Sequence, residues 1–299
     1  MDYAFLVAAA VLYSFMFLFN GKYQKNNGNG LDSALAFSLY TSVVCLIIYF
    51  ALSGVRLISG WEALEVFELQ FSWFSFLLAI SSAAVNIGFS FFSIKALGVA
   101  NLSLFSIFAM LGGMLLPSLY GLIFSGEPMT FGKGACYALI IVALFLTFEK
   151  GGKKGKRSLF YCFGVFVLNG LSGVITSIHQ EEAFAEYAVN SGSYMIMTRG
   201  ICVVVSFVLF LTLFKKPPAL KIKDTLSIAG YGFCGGMGNL LQFIALATLD
   251  SSVLFPIVTG GTMICSTAVS LVVKEKSKVK TIIASVIAAA STALMILPF

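Results

Sequence analysis

Ten stretches of this chain carry little or no charge, and each is long enough to cross a bilayer. They run at about residues 3–19, 32–53, 71–94, 98–124, 131–148, 158–178, 194–214, 225–247, 251–273 and 279–297. A helix rises about 1.5 Å per residue, so about 20 apolar residues match a hydrocarbon core of about 30 Å. Between the stretches lie clusters such as NGKYQKNNGNG, EKGGKKGKR and KKPPALKIK, rich in residues that stop or turn a helix. Nothing remains for a separate soluble domain. Composition agrees: 11% of the 299 residues are charged, against about 25% in a soluble domain. There is too little polar surface to face water all round. The expected fold is an all-α integral membrane protein of ten transmembrane helices.

The N-terminal MDYAFLVAAAVLYSFMFLF has no basic segment, and its only early charge is Asp2. It reads as a retained first span, not a cleaved leader. The six cysteines each lie inside an apolar run, and none has a zinc or C-x-x-C spacing, so they read as small buried hydrophobes. The net charge of +6 comes from short basic pieces between apolar runs. That pattern anchors a membrane protein and does not make a nucleic-acid groove.

Sorting the cations by loop fixes an expected orientation. Of 19 Lys and Arg, 16 fall in the odd-numbered loops, and only Arg56, Lys133 and Arg199 are assigned to the other side. The positive-inside rule then puts the odd loops in the cytoplasm and both termini outside, in the plasma membrane. Two outer loops carry more than a turn. Glu62, Glu65 and Glu68 alternate with Trp61, Leu64 and Phe67, which fits a short interfacial helix, and residues 181–193 could form another.

The chain repeats itself at low identity. Gly112-Gly113 is followed by an apolar run and Glu127; 148 residues later, Gly260-Gly261 is followed by an apolar run and Glu275. Ser103/Ser251 and Ser118/Ser266 keep the same offset. The copies end the fourth and ninth spans, dividing the chain into five-helix repeats at 1–150 and 151–299. Five is odd, so the second repeat starts on the opposite side of the membrane. Inverted repeats around a central cavity are the usual construction of secondary transporters.

In these residues the chain resembles the drug/metabolite transporter superfamily, in particular the EamA-like permeases. The resemblance rests on Ala96 to Phe148, with SGEPMTFGKGACYALIIVALFL, and on Leu246 to Leu297, with VKEKSKVKTIIASVIAAASTALMIL. It implies a bundle around a central cavity, with the last helix of each repeat at the periphery, and export of a metabolite or drug. Small relatives that export cationic drugs carry a membrane-buried glutamate in the first helix. This first span has none, which argues against proton-for-cation antiport.

Polar residues within the spans are the candidates for a substrate cavity. Tyr13, Asn86, Asn169, Asn239, Gln242 and Thr259 are the leading set, with Ser14, Asn20, Ser106, Ser172, Thr176 and Thr262 as further hydroxyls and an amide. An amide in hydrocarbon needs a partner and turns inward, toward a neighbouring helix or a ligand. Gly112, Gly113, Gly260 and Gly261 read first as close-packing positions and, with Pro256, as a hinge. Glu127 and Glu275 sit where one helix ends and the next begins, and read as caps of the following helix. His179, the single histidine, is a possible proton relay, weighed against a satisfied interfacial residue.

Enzyme and cofactor signatures are absent. GGKKGKRS does not match a Walker A loop, GGMGN follows no strand, and GLSG falls short of G-x-S-x-G. No metal or cofactor is expected, and no ATPase subunit is implied. The expected partners are a small-molecule substrate and the lipid bilayer, with the protein a monomer. The sequence reading is a secondary or facilitative transporter of a small polar or amphipathic metabolite, exporting by alternating access. Two alternatives stay open: a sugar or nucleotide-sugar carrier, and a non-transporting membrane receptor or assembly factor.

Overall fold

A computed structural model describes residues 2–59, 67–124, 126, 128–147, 153–215, 220–246, 251–273 and 279–294. Among the described residues it is all helical. The helices are α1 (Asp2–Asn27), α2 (Leu31–Ser59), α3 (Trp73–Leu97), α4 (Leu102–Phe124) and α5 (Phe131–Thr147). There follow α6 (Lys153–Gln180), α7 (Ser191–Phe214), α8 (Ile222–Leu246), α9 (Ser251–Val272) and α10 (Val279–Leu294). A 3₁₀ turn at Glu182–Phe184 lies between α6 and α7.

Local chemistry sets the helix ends. Ser72 and Asn190 accept from the backbone N–H of Ser75 and Ser193, capping α3 and α7. Asn101 and Thr130 do the same for Leu104 and Lys133. Gly28, at φ 77°, and Lys215, at φ 51°, take the left-handed conformation that closes α1 and α7.

Each apolar stretch of the sequence is one helix, but the ten are not alike. Seven are long and apolar enough to cross a membrane: α1, α2, α3, α4, α6, α7 and α9. α5 and α10 have only 17 and 16 residues. α8 has the length, but its glycines, Asn239 and Gln242 dilute its apolar character. The interfacial helix expected around Glu62 and Glu65 falls at residues 60–66, outside the described residues. Residues 68–72 beyond it are not helical, and residues 181–190 hold the 3₁₀ turn and a further turn, with 191–193 already the start of α7. Glu127 and Glu275 also lie outside the described residues.

Helix pairing follows a simple exchange. α1 packs on α8 and α6 on α3; α4 packs on α6 and α9 on α1; α2 packs on α8 and α7 on α3. α2–α7, α4–α9 and α5–α10 are three further pairs. Adding or subtracting five from each helix number maps these pairs onto one another or onto themselves; α2–α3 and α4–α10 also pack and have no comparable counterpart. The main core lies around α4, with Phe105, Leu111 and Met114 packed against Cys162 and Val165 of α6 and Met263 of α9. α5 and α10 pack on each other and contribute nothing to the cavity described next.

Small residues make the tightest crossing possible. A Cβ on Gly112 would overlap the main chain of Phe166, and one on Gly170 would overlap Leu116. Gly113 faces the Asn169 amide and Gly173 faces Pro117. In hydrocarbon, packing of this kind takes the place of the hydrophobic drive between helices. Gly260 and Gly261 play the same part in α9, against Thr292 and Ala10. α9 continues through Pro256, which is buried in its first turns.

Candidate functional site

The centre of the bundle holds a cavity of about 240 Å³. α1, α2, α3 and α4 line it from one half of the chain, and α6, α7, α8 and α9 from the other. Tyr13, Asn86, Asn169, Asn239, Gln242 and Thr259, scattered over five helices in the sequence, all face it. Ser172 and Thr176 join them.

Not every polar residue of the spans is there. Ser14 donates to the carbonyls of Ala10 and Thr262, and Thr262 donates to Ala10, so this pair fastens α1 to α9. Ser106 donates to Ser103 in its own helix. Asn20 is buried away from the cavity, and among the described residues its amide makes no hydrogen bond.

The amides divide by how they are held. Asn169 donates to the Ala109 carbonyl at 2.6 Å, across the α4–α6 crossing. Asn86 donates to Ser82 one turn back at 2.8 Å. The Tyr13 hydroxyl lies 2.7 Å from Asn239 Oδ1 and 2.8 Å from Gln242 Oε1. One hydroxyl proton cannot serve two carbonyls, so one amide accepts it and the other turns its NH2 toward the phenol oxygen. The three side chains form a single polar patch on the α1–α8 wall.

Arg199, counted with the outer-side cations although the 194–214 stretch contains it, lies nine residues into Ser191–Phe214 and lines the cavity. Moving it into a helix leaves Arg56 and Lys133 alone on the cation-poor side, so the charge asymmetry of the loops sharpens. Its electrostatic neighbours are Cys45, Tyr49, Cys202 and Tyr231. Among the described residues it makes no ion pair, and no carboxylate lies on the cavity wall; the Tyr49 hydroxyl lies within its reach. Lys95 sits over the Phe91 ring, 5.6 Å from its centroid, away from the cavity. The apolar residues 201–205 on the C-terminal side of Arg199 could have flagged it; the Ser- and Gly-containing stretch on its N-terminal side hid it.

His179 is buried against neutral groups. Its Nε2 lies 3.1 Å from Ser75 Oγ, and its ring stacks on Tyr194 with centroids 4.1 Å apart. Ser75 also accepts from the backbone N–H of Val189, and Tyr194 shares a 2.6 Å hydrogen bond with Ser82. His179 therefore ties α6 to α3 and to the segment before α7. The neighbouring Glu181 accepts from Tyr120.

Aromatic rings lie toward one end of the cavity. Phe17 meets Phe105 edge to face at 5.0 Å, and Tyr231 meets Phe37 at 4.7 Å, with Tyr23 tilted against Phe37. Toward the other end lie Gln180, Tyr194, Gln242 and Phe255. There, polar bonds join the segment before α3 to the segment before α7. Ser72 donates to Tyr187, Asn190 and Ser193 donate to the Glu68 carbonyl, and the Gln70 N–H donates to Ser193.

No family model matches this chain, and no curated protein matches it. A protein solved by crystallography is similar over 98% of this chain and 96% of its own, with a TM-score of 0.61 at 16% identity. At that identity the likeness shows the fold alone.

Proposed function

We propose that this protein is a secondary transporter that carries a small polar metabolite through the central cavity by alternating access. One observation carries the proposal: a polar cavity lies in the middle of an apolar bundle and is walled by both halves of the chain. Amides and hydroxyls in hydrocarbon are costly, and cluster inward where a pathway uses them. A receptor or assembly factor needs no such cavity.

The exchange symmetry of the helix contacts supports reading the chain as two five-helix halves of inverted topology. All ten helices then count as spans, including the short α5 and α10 and the polar α8. α8 tolerates its amides because they face the cavity. The peripheral α5–α10 pair and the glycine-built crossings fit the resemblance to EamA-like permeases, and the export direction rests on that resemblance. The loop cations favour both termini outside and the odd loops in the cytoplasm. On that orientation the cavity extends from mid-membrane toward the outside, and the rings of Phe17 and Tyr231 lie toward its cytoplasmic end.

The test is flux. Purified protein is reconstituted into vesicles loaded with a defined mixture of small metabolites, and their loss is followed by mass spectrometry. Loss of one chemical class, slowed by Asn239→Ala, is the expected result. Retention of every solute, with folded protein in the bilayer, would sink the transport reading.

A further inference from the structure

The cavity wall is unbalanced in two ways. Its charge is that of Arg199 alone, since no Lys, His, Asp or Glu joins it among the described residues. Its strongest hydrogen-bonding group is a donor with more N–H groups than partners. A guanidinium carries five N–H groups, and among the described residues no carboxylate takes any of them. The Tyr49 hydroxyl, fully buried, lies beside Arg199 and Asn239, and the buried Thr198 hydroxyl, next in sequence, lies beside Tyr194. A lone cation surrounded by apolar helices destabilises the protein that holds it unless something answers the charge.

We propose that the cavity binds a small organic monoanion, a carboxylate, with its head group on Arg199. This rests on the transport reading and names its substrate class. An ionised carboxylate only accepts hydrogen bonds, which matches the donor-only guanidinium, and its two oxygens fit the guanidinium fork. One cation balances one charge. A phosphate monoester, with close to two charges, would leave one uncompensated, and an ammonium ligand would meet like charge. The rest of the wall suits a compact apolar body: Phe17, Phe89 and Phe255 offer ring faces, and Met110 and Met195 adapt to its shape.

An isosteric set tests this. Thermal unfolding of the purified protein is measured with 3-phenylpropionate, 3-phenylpropionamide and 3-phenylpropylamine, and with butyrate and acetate. The carboxylates are expected to stabilise the protein, and the neutral amide and the amine to do so far less. Arg199→Gln should weaken carboxylate binding by about 10- to 100-fold, and Arg199→Lys should keep part of it. Without ligand, Arg199→Gln should unfold at a higher temperature than the parent, because a lone buried charge is gone.

Equal stabilisation by amide and acid, carboxylate binding that survives Arg199→Gln, or no response to any carboxylate would each overturn the proposal. A fall in the unliganded stability of Arg199→Gln would overturn it too, since the guanidinium would then be holding the fold. The comparison of acid with amide needs only the parent protein, so it decides the matter even if the variant does not fold. Vesicle flux separates this idea from the one beneath it. Flux of a neutral solute that ignores Arg199→Gln would remove the anion and leave transport standing. Carboxylate binding without flux of any solute would remove transport and leave the site.

Discussion

Among the contacts that join the halves of the molecule, glycine serves two differently. Where α4 crosses α6, glycine lets main chain meet main chain. Gly112 lies against the backbone of Phe166, and Gly170 against the carbonyl of Gly112. Where α1 lies along α8, glycines make room for side chains. Gly230 takes the ring of Phe19, Gly235 the sulfur of Met16 and Gly238 the ring of Tyr13. Met16 and Tyr13 line the cavity; Phe166 does not. The first contact is a fixed seam. The second is a wall whose glycines shape the surface a ligand would meet. A glycine pattern in a membrane helix thus carries two meanings, and only the neighbouring residue tells them apart.

The sharpest way to break this contrast is Gly112→Ala. Its methyl group has only backbone to displace, so it should destabilise the protein by about 1–3 kcal/mol or more, read as a lower unfolding temperature in detergent. Gly235→Ala is the matched control. The Met16 sulfur, 3.0 Å from the added carbon, can swing aside, and the cost should stay below about 1 kcal/mol. Equal losses at both positions would erase the distinction between seam and wall.

Tyr13→Phe should come next in size. It removes the hydroxyl shared by Asn239 and Gln242, at about 1 kcal/mol in stability. Its larger signature should be altered ligand affinity or flux, because the freed amides face the cavity. An unchanged affinity would make the patch structural. Smallest of all, Arg56→Ala removes the 3.2 Å pair with the largely exposed Glu68. Exposed pairs are worth about 0–1 kcal/mol, so the unfolding temperature should barely move.

The helices were legible because hydrocarbon imposes length and polarity on every segment alike. The cavity amides were legible for the same reason: Asn86, Asn169, Asn239 and Gln242 interrupt apolar runs with groups that cannot face lipid. Two things were not. The span count blurred where burial replaces lipid contact, so α8 could afford glycines and amides and α5 could be short. Arg199 was counted with the outer-side cations because charge near a span end is the normal sign of a membrane boundary, and sequence alone does not show which way its helix face turns. The role of Gly112 was half legible: small residues announce close packing, but only the position of Phe166 shows that backbone is what they touch.

Alternating access is tested most directly by accessibility of the cavity wall. Ser172→Cys, placed on α6 at the cavity in a background without the native cysteines, is exposed to a membrane-impermeant thiol reagent. The reagent is added to one side of reconstituted vesicles and then, in a second experiment, to the other. Val204→Cys, on an exposed face of α7 (61% exposed), reports the lipid-facing background. Labelling of the α6 position from each side, above that background, is the predicted result. Labelling from one side only, or from neither, would contradict alternating access through this cavity.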